Sequence, residues 1–461
     1  MFRNQTQQQT SRQLSPSGRF GADHTRHDAV VFGPPPPAHQ RTTRPATEQN
    51  ADAVTEDRRH LASLTLTRRV RDRGRLQWYV GYADYDQTFR DLQATPSRQY
   101  HNTYVDRTLT SRLDLELFDM TGATGTIGGE IQLERLRHSD HLRPQIASGL
   151  TRRTTTSLYG LLHHGAELKG GHVDWQWDMQ AGLRYDRSLS QPEDETPTYP
   201  WLPPRHSTQT ERYSPQISVS ITAAGPARLT LRADHGQSFR LPSLNALFWK
   251  GNVQAAGNPD LRPENSVHSG LAAELHLQFG VAEIEAGVTY HYSHVSDLIT
   301  WVQSGPQGVW KPVNIGRARI RGREDFIAVR LWRGKLTLSY QNSLLDARNH
   351  QTGHNSYDKW LTYRPHATTK LTADLRASGF FAGYRVRLVG RRYANEANTK
   401  WYEGYRVDDF NIGCEWSWLD CWQVRLEYRA ENVLGEEYVL ISQHPMPGVE
   451  HNVSLQVKYG L

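Results

Sequence analysis

Hydrophobic and polar residues alternate strictly along many stretches of this chain. Between His172 and Asp186, every second residue is apolar or aromatic, and most of the positions between them carry charged or amide side chains. The apolar set is Val173, Trp175, Trp177, Met179, Ala181, Leu183 and Tyr185. A period of two places successive side chains on opposite faces of a β-strand. Because globular strands usually have only ~5 or 6 residues, the pattern predicts an unusually long strand with one apolar and one polar face.

Seventeen alternating segments follow one another from Leu61 to the end of the chain. Their predicted bounds are 61–71, 75–87, 104–118, 125–138, 153–167, 172–187, 212–223, 227–240, 266–279, 281–295, 317–332, 335–346, 366–377, 380–393, 404–418, 422–433 and 450–461. Short turns such as Arg71–Gly74 and Ser378–Gly379 take turns with long connections such as 241–265 and 347–365. Tight turns at one end and long loops at the other are typical of outer-membrane meanders. The pattern therefore predicts an all-β fold, a transmembrane antiparallel up-and-down β-barrel.

Each strand of such a barrel turns its apolar residues to lipid and its polar residues to the lumen. We expect Leu115, Trp177, Leu183, Leu338 and Val424 to face lipid. We expect Asp114, Asp178, Arg184 and Arg425 to face the lumen. A slip of one residue in register would exchange the two sets and place charges in hydrocarbon.

Composition agrees with this architecture and narrows the alternatives. The 461 residues are 37% hydrophobic, yet they include 13 Trp and 21 Tyr. No apolar run approaches the ~18 residues of a transmembrane helix, and two cysteines, Cys414 and Cys421, exclude a disulfide scaffold. The net charge of +6 arises with arginines spread singly through the strands, so nucleic acid is not expected as a partner. A soluble all-β protein stays open as an alternative, although its strands would average only ~5 or 6 residues.

The N-terminal segment differs from the rest of the chain. Residues 1–58 contain a glutamine-rich stretch, the run Gly33–Pro37 and almost no apolar periodicity. Such a segment buries too little surface to offset the entropy of ordering. We therefore predict loop or disorder for residues 1–58 and a barrel for residues 59–461.

Four stretches with motif-like spacing follow in the second half of the chain. They are SFRLPSLNALF with GNPDLRPENS (238–266), TYHYSHVSDLITW (289–301), VNIGRARIRGRE (313–324), and RAENVLGEEYVL with PMPG (429–448). In this order they resemble the barrel motifs of TonB-dependent outer-membrane receptors. The matching residues are Phe239, Pro242, Asn258, Pro259, Leu261, Pro263, Glu264, Asn314, Gly316, Gly322, Glu324, Asn432, Tyr438, Pro447 and Gly448. Taken one at a time, each of them also fits a purely structural role in a turn or a strand.

The resemblance implies a location, a function and a set of partners. It implies a barrel in the cell outer membrane, surrounded by lipid, that takes up a scarce nutrient of the ferric siderophore or cobalamin class. Receptors of this kind are energised by TonB through a plug domain and have 22 strands. Nothing before Leu61 resembles a signal peptide or a plug, so we expect the barrel to be incomplete at its N-terminus, with TonB acting only through the missing plug region. A plug-less porin-like or purely structural barrel fragment is the alternative.

No catalytic motif accompanies these features, and we expect no enzyme activity, no cofactor and no metal site. The chain contains no G-x-S-x-G, H-E-x-x-H or P-loop pattern. Candidate ligand contacts at the outer ends are Phe248, Trp249, Lys250, Trp301, Trp310, Trp360 and Trp401, and an aromatic membrane girdle is the alternative role for the tryptophans. Residues 239–261 contain no histidine. Because haem receptors that resemble this family place an axial histidine there, we expect a ligand other than haem.

Overall fold

The long alternating segments form long strands. The computed structural model describes residues 54–70, 74–92, 99–118, 122–144, 148–195, 204–250, 256–304, 309–314, 316–418, 422–441 and 444–459. The elements in chain order are β1 (Val54–Arg69), β2 (Gly74–Asp91), β3 (Tyr100–Phe118), β4 (Ala123–Asp140), β5 (Gly149–Leu168), β6 (Asp174–Pro192), β7 (Thr208–Ala224), β8 (Ala227–Arg240), α1 (Leu244–Phe248), β9 (Glu264–Phe279), β10 (Ala282–Ser296), β11 (Ile299–Ser304), β12 (Val309–Asn314), β13 (Arg317–Leu331), β14 (Leu336–Asn349), β15 (Ala367–Ala377), β16 (Phe380–Val389), β17 (Arg392–Tyr393), β18 (Trp401–Tyr402), β19 (Tyr405–Trp418), β20 (Trp422–Glu431), β21 (Val439–Ile441), β22 (His444–Pro445) and β23 (Glu450–Tyr459).

Seventeen of these strands form one antiparallel sheet, the wall of the barrel. Each wall strand pairs with the wall strands that precede and follow it in the chain, so the order is β1 to β10, then β13 to β16, then β19, β20 and β23. Among the described residues, β1 and β23 each have one neighbour in the wall. The predicted meander and its strand count are confirmed.

The two faces of the wall have opposite chemistry, as the alternation requires. On β6, Trp175, Trp177 and Leu183 are exposed, whereas Arg184 and Asp186 bond to each other and to neighbouring strands. We call the face that carries Leu183 and its register partners the outer face, and the opposite one the inner face. All the residues predicted to face lipid lie on the outer face, and all those predicted to face the lumen lie on the inner face. The predicted register is therefore confirmed.

Strand length matches a membrane crossing. The wall strands contain 10 to 20 residues, and at ~3.3 Å per residue even the shortest of them spans ~33 Å. A tilted strand of ~9 to 11 residues crosses the hydrocarbon core. No helix in the described part of the chain is long and apolar enough to span a membrane.

The short connections follow ordinary hairpin chemistry. Between β15 and β16 the turn is Ser378–Gly379, with φ values of 49° and 82°. Positive φ at both central residues defines the turn type that matches the twist of a two-residue hairpin, and glycine adopts it without strain. The register also pairs Trp418 with Trp422. Cys421 lies outside the described residues.

The structure differs from the predicted elements in two respects. First, β1 begins at Val54, so residues 54–58 of the predicted loop segment belong to a strand, and residues 1–53 lie outside the described residues. Second, the long loops contain structure of their own: the helix α1 and the two-stranded hairpins β11–β12, β17–β18 and β21–β22. These loop elements do not alternate over enough residues to be recognised by their period.

Candidate ligand-binding site

The long loops meet at one end of the barrel, and one of them folds into the mouth. The β8–β9 loop (residues 241–263) carries α1, whose Leu244, Leu247 and Phe248 are almost fully buried. These side chains and Leu261 form an apolar cluster that packs against Leu136 on the inner face of β4. The loop therefore lies against the inner wall rather than above the rim.

The helix α1 is short and needs its cap. Ser243 is the N-cap residue, and its hydroxyl accepts a hydrogen bond from the Ala246 N–H at 3.0 Å. Pro242 precedes the cap and fixes an extended entry into the helix. A five-residue helix has little intrinsic stability, so its position depends on the burial of its leucine and phenylalanine side chains.

Polar contacts hold this loop to the wall. The buried guanidinium of Arg153 on β5 donates to the carbonyl of Pro242, and its Nε donates to Ser190 on β6 at 2.9 Å. Glu134 on β4 lies 3.6 Å from the same guanidinium. Further along the loop, Lys250 pairs with Asp194 at 2.9 Å. The buried charge of Arg153 is therefore matched by both a carboxylate and neutral acceptors.

The family motif residues join this loop to the β11–β12 hairpin. Asn258 donates to the Pro312 carbonyl at 2.9 Å. Asn314 accepts from the Arg262 N–H at 3.0 Å and donates to the Arg262 carbonyl at 2.9 Å. Glu264, 7% exposed, binds Arg240 through both oxygens and accepts the Ile299 N–H at 2.7 Å. These contacts give the motif a scaffolding role at the mouth.

The remaining motif residues are spread along the wall and its outer loops. Gly316 has a φ of 92°, and Gly322 makes room for the ring of His291. Asn432 is buried, and its side chain bonds to the backbone of Glu436 and Pro447. Other motif residues occupy separate places: Phe239 and Glu324 on wall strands, Pro259 and Pro263 buried in the β8–β9 loop, Tyr438 stacked on Tyr405, and Gly448 exposed before β23.

Five of the predicted ligand contacts lie at the β8–β9 loop and the adjacent hairpin. Phe248 is buried inside the apolar cluster, so in this structure it supports the loop and does not line the lumen. Trp249 and Trp301 pack edge to face at 6.1 Å between ring centroids. Trp310 lies on β12, and the indole nitrogens of Trp249 and Trp310 are buried without a hydrogen-bond partner among the described residues. Lys250 is engaged with Asp194.

The other two predicted contacts lie in a second aromatic group, formed by the connections that follow β14 and β16. Trp360 stacks on His366 at 3.6 Å between ring centroids, and the guanidinium of Arg348 lies 4.6 Å from the Trp360 ring. Trp401 is 46% exposed and donates its indole N–H to Glu403. The backbone of Trp360 forms an isolated β-bridge with Arg348, whose side chain is on the outer face of β14. This position suits a tryptophan of the membrane girdle as well as a ligand contact.

Burial shapes the electrostatics of this second group. Burial, with the guanidinium groups of Arg391 and Arg348, lowers the pKa of His366 below its ordinary value. Burial also lowers the pKa of Arg364 and raises that of Tyr363. A neutral imidazole among aromatic rings presents a flat face for stacking rather than a charge.

Among the described residues, three arginines are buried, namely Arg153, Arg205 and Arg392, and none of them was predicted from sequence. Besides Arg153, Arg392 is 3% exposed and donates to the Val439 carbonyl, between the rings of Tyr402 and Tyr405. Nothing local distinguishes Arg153 and Arg392 from the other arginines of the chain. Their burial depends on loops that are distant in sequence.

The arrangement provides surfaces for binding. No group of three or more His, Cys, Asp or Glu side chains that could hold a metal ion occurs within the described residues. Aromatic faces, arginines and backbone groups are the chemistry that grips a bulky polar ligand.

The comparison with known families decides which group of proteins this is. A family model described as TonB dependent receptor-like, beta-barrel matches residues 2–433. The chain belongs to this family. Its barrels are outer-membrane proteins that act as receptors and transporters, not enzymes, and they bind small-molecule or chelate ligands.

Two curated relatives are both vitamin B12 transporters named BtuB. Over 216 residues, the chain is 27% identical to the vitamin B12 transporter BtuB of Photobacterium profundum, covering 46% of this chain and 32% of the transporter. Over 92 residues, it is 34% identical to BtuB of Vibrio vulnificus, covering 20% of this chain and 14% of that transporter. The matched regions are therefore less than a third of each transporter's length.

Solved structures show the same fold at low identity. The copper transporter OprC superposes with a TM-score of 0.67 at 17% identity, covering 87% of this chain and 65% of that chain. The ferric citrate transporter FecA superposes with a TM-score of 0.62 at 12% identity, covering 88% of this chain and 62% of FecA. The ferric yersiniabactin receptor FyuA from Yersinia pestis superposes with a TM-score of 0.59 at 13% identity, covering 88% of this chain and 62% of FyuA.

Proposed function

We propose that this chain forms the barrel of an outer-membrane receptor that takes up a bulky metal chelate of the cobalamin or ferric siderophore class. The observation that supports the proposal is the β8–β9 loop, which packs against the inner face of β4 and holds Trp249 against Trp301 of the β11–β12 hairpin. Aromatic faces of this kind bury much of a large planar or macrocyclic ligand. Cobalamin is the first ligand to test, because the curated relatives are named as vitamin B12 transporters.

Ligand release is the step that we assign to TonB. Uptake of a ligand against its concentration gradient needs a source of energy, and the wall strands do not supply one. We propose that TonB supplies it through a plug domain of the kind that the family resemblance implies. The barrel then contributes capture at the mouth and a polar path along its inner face.

Haem is excluded from the proposal on the chemistry of the loop. An axial ligand to haem iron is a histidine, cysteine, methionine or tyrosine side chain, and residues 239–261 contain none of these four. The nearest imidazole in the chain before the loop, His235, bonds to Ser269 on the outer face.

The test is a binding titration of the purified chain with cyanocobalamin, a panel of ferric siderophores and hemin, followed by tryptophan fluorescence. We expect saturable binding of one chelate and a loss of roughly 30-fold in affinity for Trp249→Ala, as for a central aromatic contact. Trp175→Ala is the matched control, because Trp175 lies on the outer face near the short-turn end. Hemin binding with a Soret shift that one loop histidine controls would overturn the proposal.

A further inference from the structure

Five arginines cluster on the outer face of β3 to β6, near the long-loop end. They are Arg107 on β3, Arg135 and Arg137 on β4, Arg152 on β5, and Arg187 on β6. Arg107, Arg135 and Arg152 lie directly opposite one another across three adjacent strands. We call these five residues the arginine row. The row was not visible in the sequence, because its members are spread over 80 positions and meet only through the register.

The side chains of the row point away from the lumen. The side chains of Arg107, Arg152 and Arg187 are 55%, 60% and 60% exposed. Their neighbours on the other parity, such as Glu134 and Arg153, are buried under the β8–β9 loop. The row therefore belongs to the face that also carries the apolar residues of the wall.

The row is only partly neutralised by protein carboxylates. Arg107 lies 3.5 Å from Asp84, Arg152 lies 3.6 Å from Glu193, and Arg187 lies 3.7 Å from Glu211. These separations are longer than the ~2.7 to 2.9 Å of a charge-assisted hydrogen bond.

The two central members are the least compensated. Arg135 and Arg137 make no ion pair among the described residues. Like charges directly opposite each other destabilise a strand pair. Such a row is therefore a site where an external anion would stabilise the fold.

A second set of outer-face arginines shows how the chain neutralises such charges elsewhere. On β13 and β14, Arg323 pairs with Asp325 at 2.8 Å and Arg348 pairs with Asp346 at 2.6 Å. Arg321 lies opposite Asp346 in the register. Arg323 and Arg348 therefore have close carboxylate partners of a kind that Arg135 and Arg137 lack among the described residues.

The height of the row corresponds to the level of lipid headgroups. On β3, the outer-face positions from Leu109 to Leu117 are mostly apolar, and Arg107 is the next outer-face residue towards the long loops. The ten-residue step from Arg107 to Leu117 is roughly 33 Å along the strand, or about 25 Å along the membrane normal at the usual tilt. Because the apolar band of such barrels is ~25 Å tall, Arg107 and the two arginines opposite it lie at its outer edge.

We propose that the arginine row binds the phosphate groups of phosphorylated lipid headgroups in the outer leaflet. Guanidinium groups form paired, planar hydrogen bonds with phosphate oxygens. Three members of the row, Arg107, Arg135 and Arg152, lie opposite one another above a mostly apolar surface. This arrangement matches a lipid that carries phosphates above its acyl chains. The apolar surface below the row would contact the acyl chains of the same lipid.

The test compares binding of fluorescent lipid A to the full chain in neutral detergent micelles. The variant Arg107→Gln, Arg135→Gln, Arg152→Gln removes the three guanidinium charges that lie opposite one another and keeps a polar side chain at each position. Each basic residue near a membrane surface contributes about fivefold to affinity, so we expect the triple variant to bind roughly a hundredfold more weakly. If that variant does not fold, Arg135→Gln alone is expected to lose about fivefold, with partial recovery in Arg135→Lys.

A matched control separates this site from general surface charge. The variant Arg317→Gln, Arg321→Gln, Arg323→Gln removes three outer-face arginines of β13 and should bind lipid A as the parent does. Dephosphorylated lipid A, which keeps its acyl chains, should bind as weakly as the triple variant binds lipid A. Equal affinity of parent and triple variant, equal binding of dephosphorylated lipid A, or displacement of lipid A by inorganic phosphate alone would each overturn the proposal.

Discussion

Replacing Glu264 by alanine should loosen the β11–β12 hairpin from the start of β9 without unfolding the wall. Glu264 is 7% exposed, and it is the shared partner of Arg240 and of the Ile299 N–H. Its removal leaves the N–H of the partly buried Ile299 without this acceptor and takes one carboxylate away from Arg240. The carboxylate also interacts electrostatically with the guanidinium of Arg364, which lies outside the wall strands, so the effect should stay local to this end of the barrel.

The magnitude follows from the two contacts separately. A hydrogen bond from a backbone N–H to a charged acceptor contributes ~1.5 to 3 kcal/mol. The Arg240 side chain is 59% exposed, so screening limits that ion pair to ~1 kcal/mol or less. We therefore expect Glu264→Ala to lower the free energy that docks the hairpin by about 2 to 3 kcal/mol. Glu264→Gln keeps an acceptor for the Ile299 N–H and should lower it by about 1 kcal/mol.

Amide hydrogen exchange at Ile299 is the direct assay, because protection there reports opening of the hairpin. A loss of 2 to 3 kcal/mol corresponds to exchange roughly 30- to 150-fold faster. Glu324→Ala is the control, since Glu324 is an exposed motif residue on the wall. The reasoning is refuted if Ile299 exchanges equally fast in the parent and in Glu264→Ala, or if the glutamine and alanine variants are indistinguishable.

Two further predictions concern the wall. Val424→Arg places a charge on the outer face and should destabilise the barrel by ~2 to 4 kcal/mol if the position lies near the membrane midplane, whereas Gln423→Arg on the inner face should change the urea midpoint in vesicles little. Gly322→Val should destabilise the barrel by ~1 to 3 kcal/mol, because a side chain there meets the His291 ring. Adding His291→Ala should restore most of the lost stability, and an unchanged defect in that double variant would contradict the packing argument.

Sequence pattern predicted the wall well because the physical penalty for error is large there. A one-residue slip on β6 would move Asp178, Arg184 and Asp186 to the lipid face, so alternation fixes both face and register. Strand ends were less well predicted. Above the membrane both faces meet water or loops, as at Val54–Arg58, and the alternation no longer carries information.

The mouth was harder to predict, because long-range contacts decide it. The family motif located Asn258, Glu264 and Asn314 in the sequence, but it did not reveal that they tie one loop to one hairpin. Phe248 was selected for its aromatic ring, yet it is buried, since α1 turns that side towards β4. Burial of Arg153 depends in the same way on a loop 89 positions later in the chain.

The stacked pair of Trp360 and His366 should report on pH. Burial, followed by the nearby charges of Arg391 and Arg348, lowers the pKa of His366, and only Asp346 opposes this direction. A histidine whose pKa is lower in the folded state than in the unfolded state stabilises the fold above its unfolded pKa of ~6.5. That stabilisation is lost as the pH falls below ~6.5 and through the folded-state pKa, because the ring must then be charged among guanidinium groups.

We therefore expect the fluorescence of Trp360, taken as the difference between the parent and Trp360→Phe, to change between neutral and acidic pH as the stacked ring becomes protonated. The midpoint should lie below the ordinary histidine value of ~6.5. His366→Gln, which keeps a polar planar group without a titratable proton, should abolish the transition and leave the wall intact. A midpoint above that value would mean that a carboxylate, rather than burial and the arginines, dominates the environment of His366.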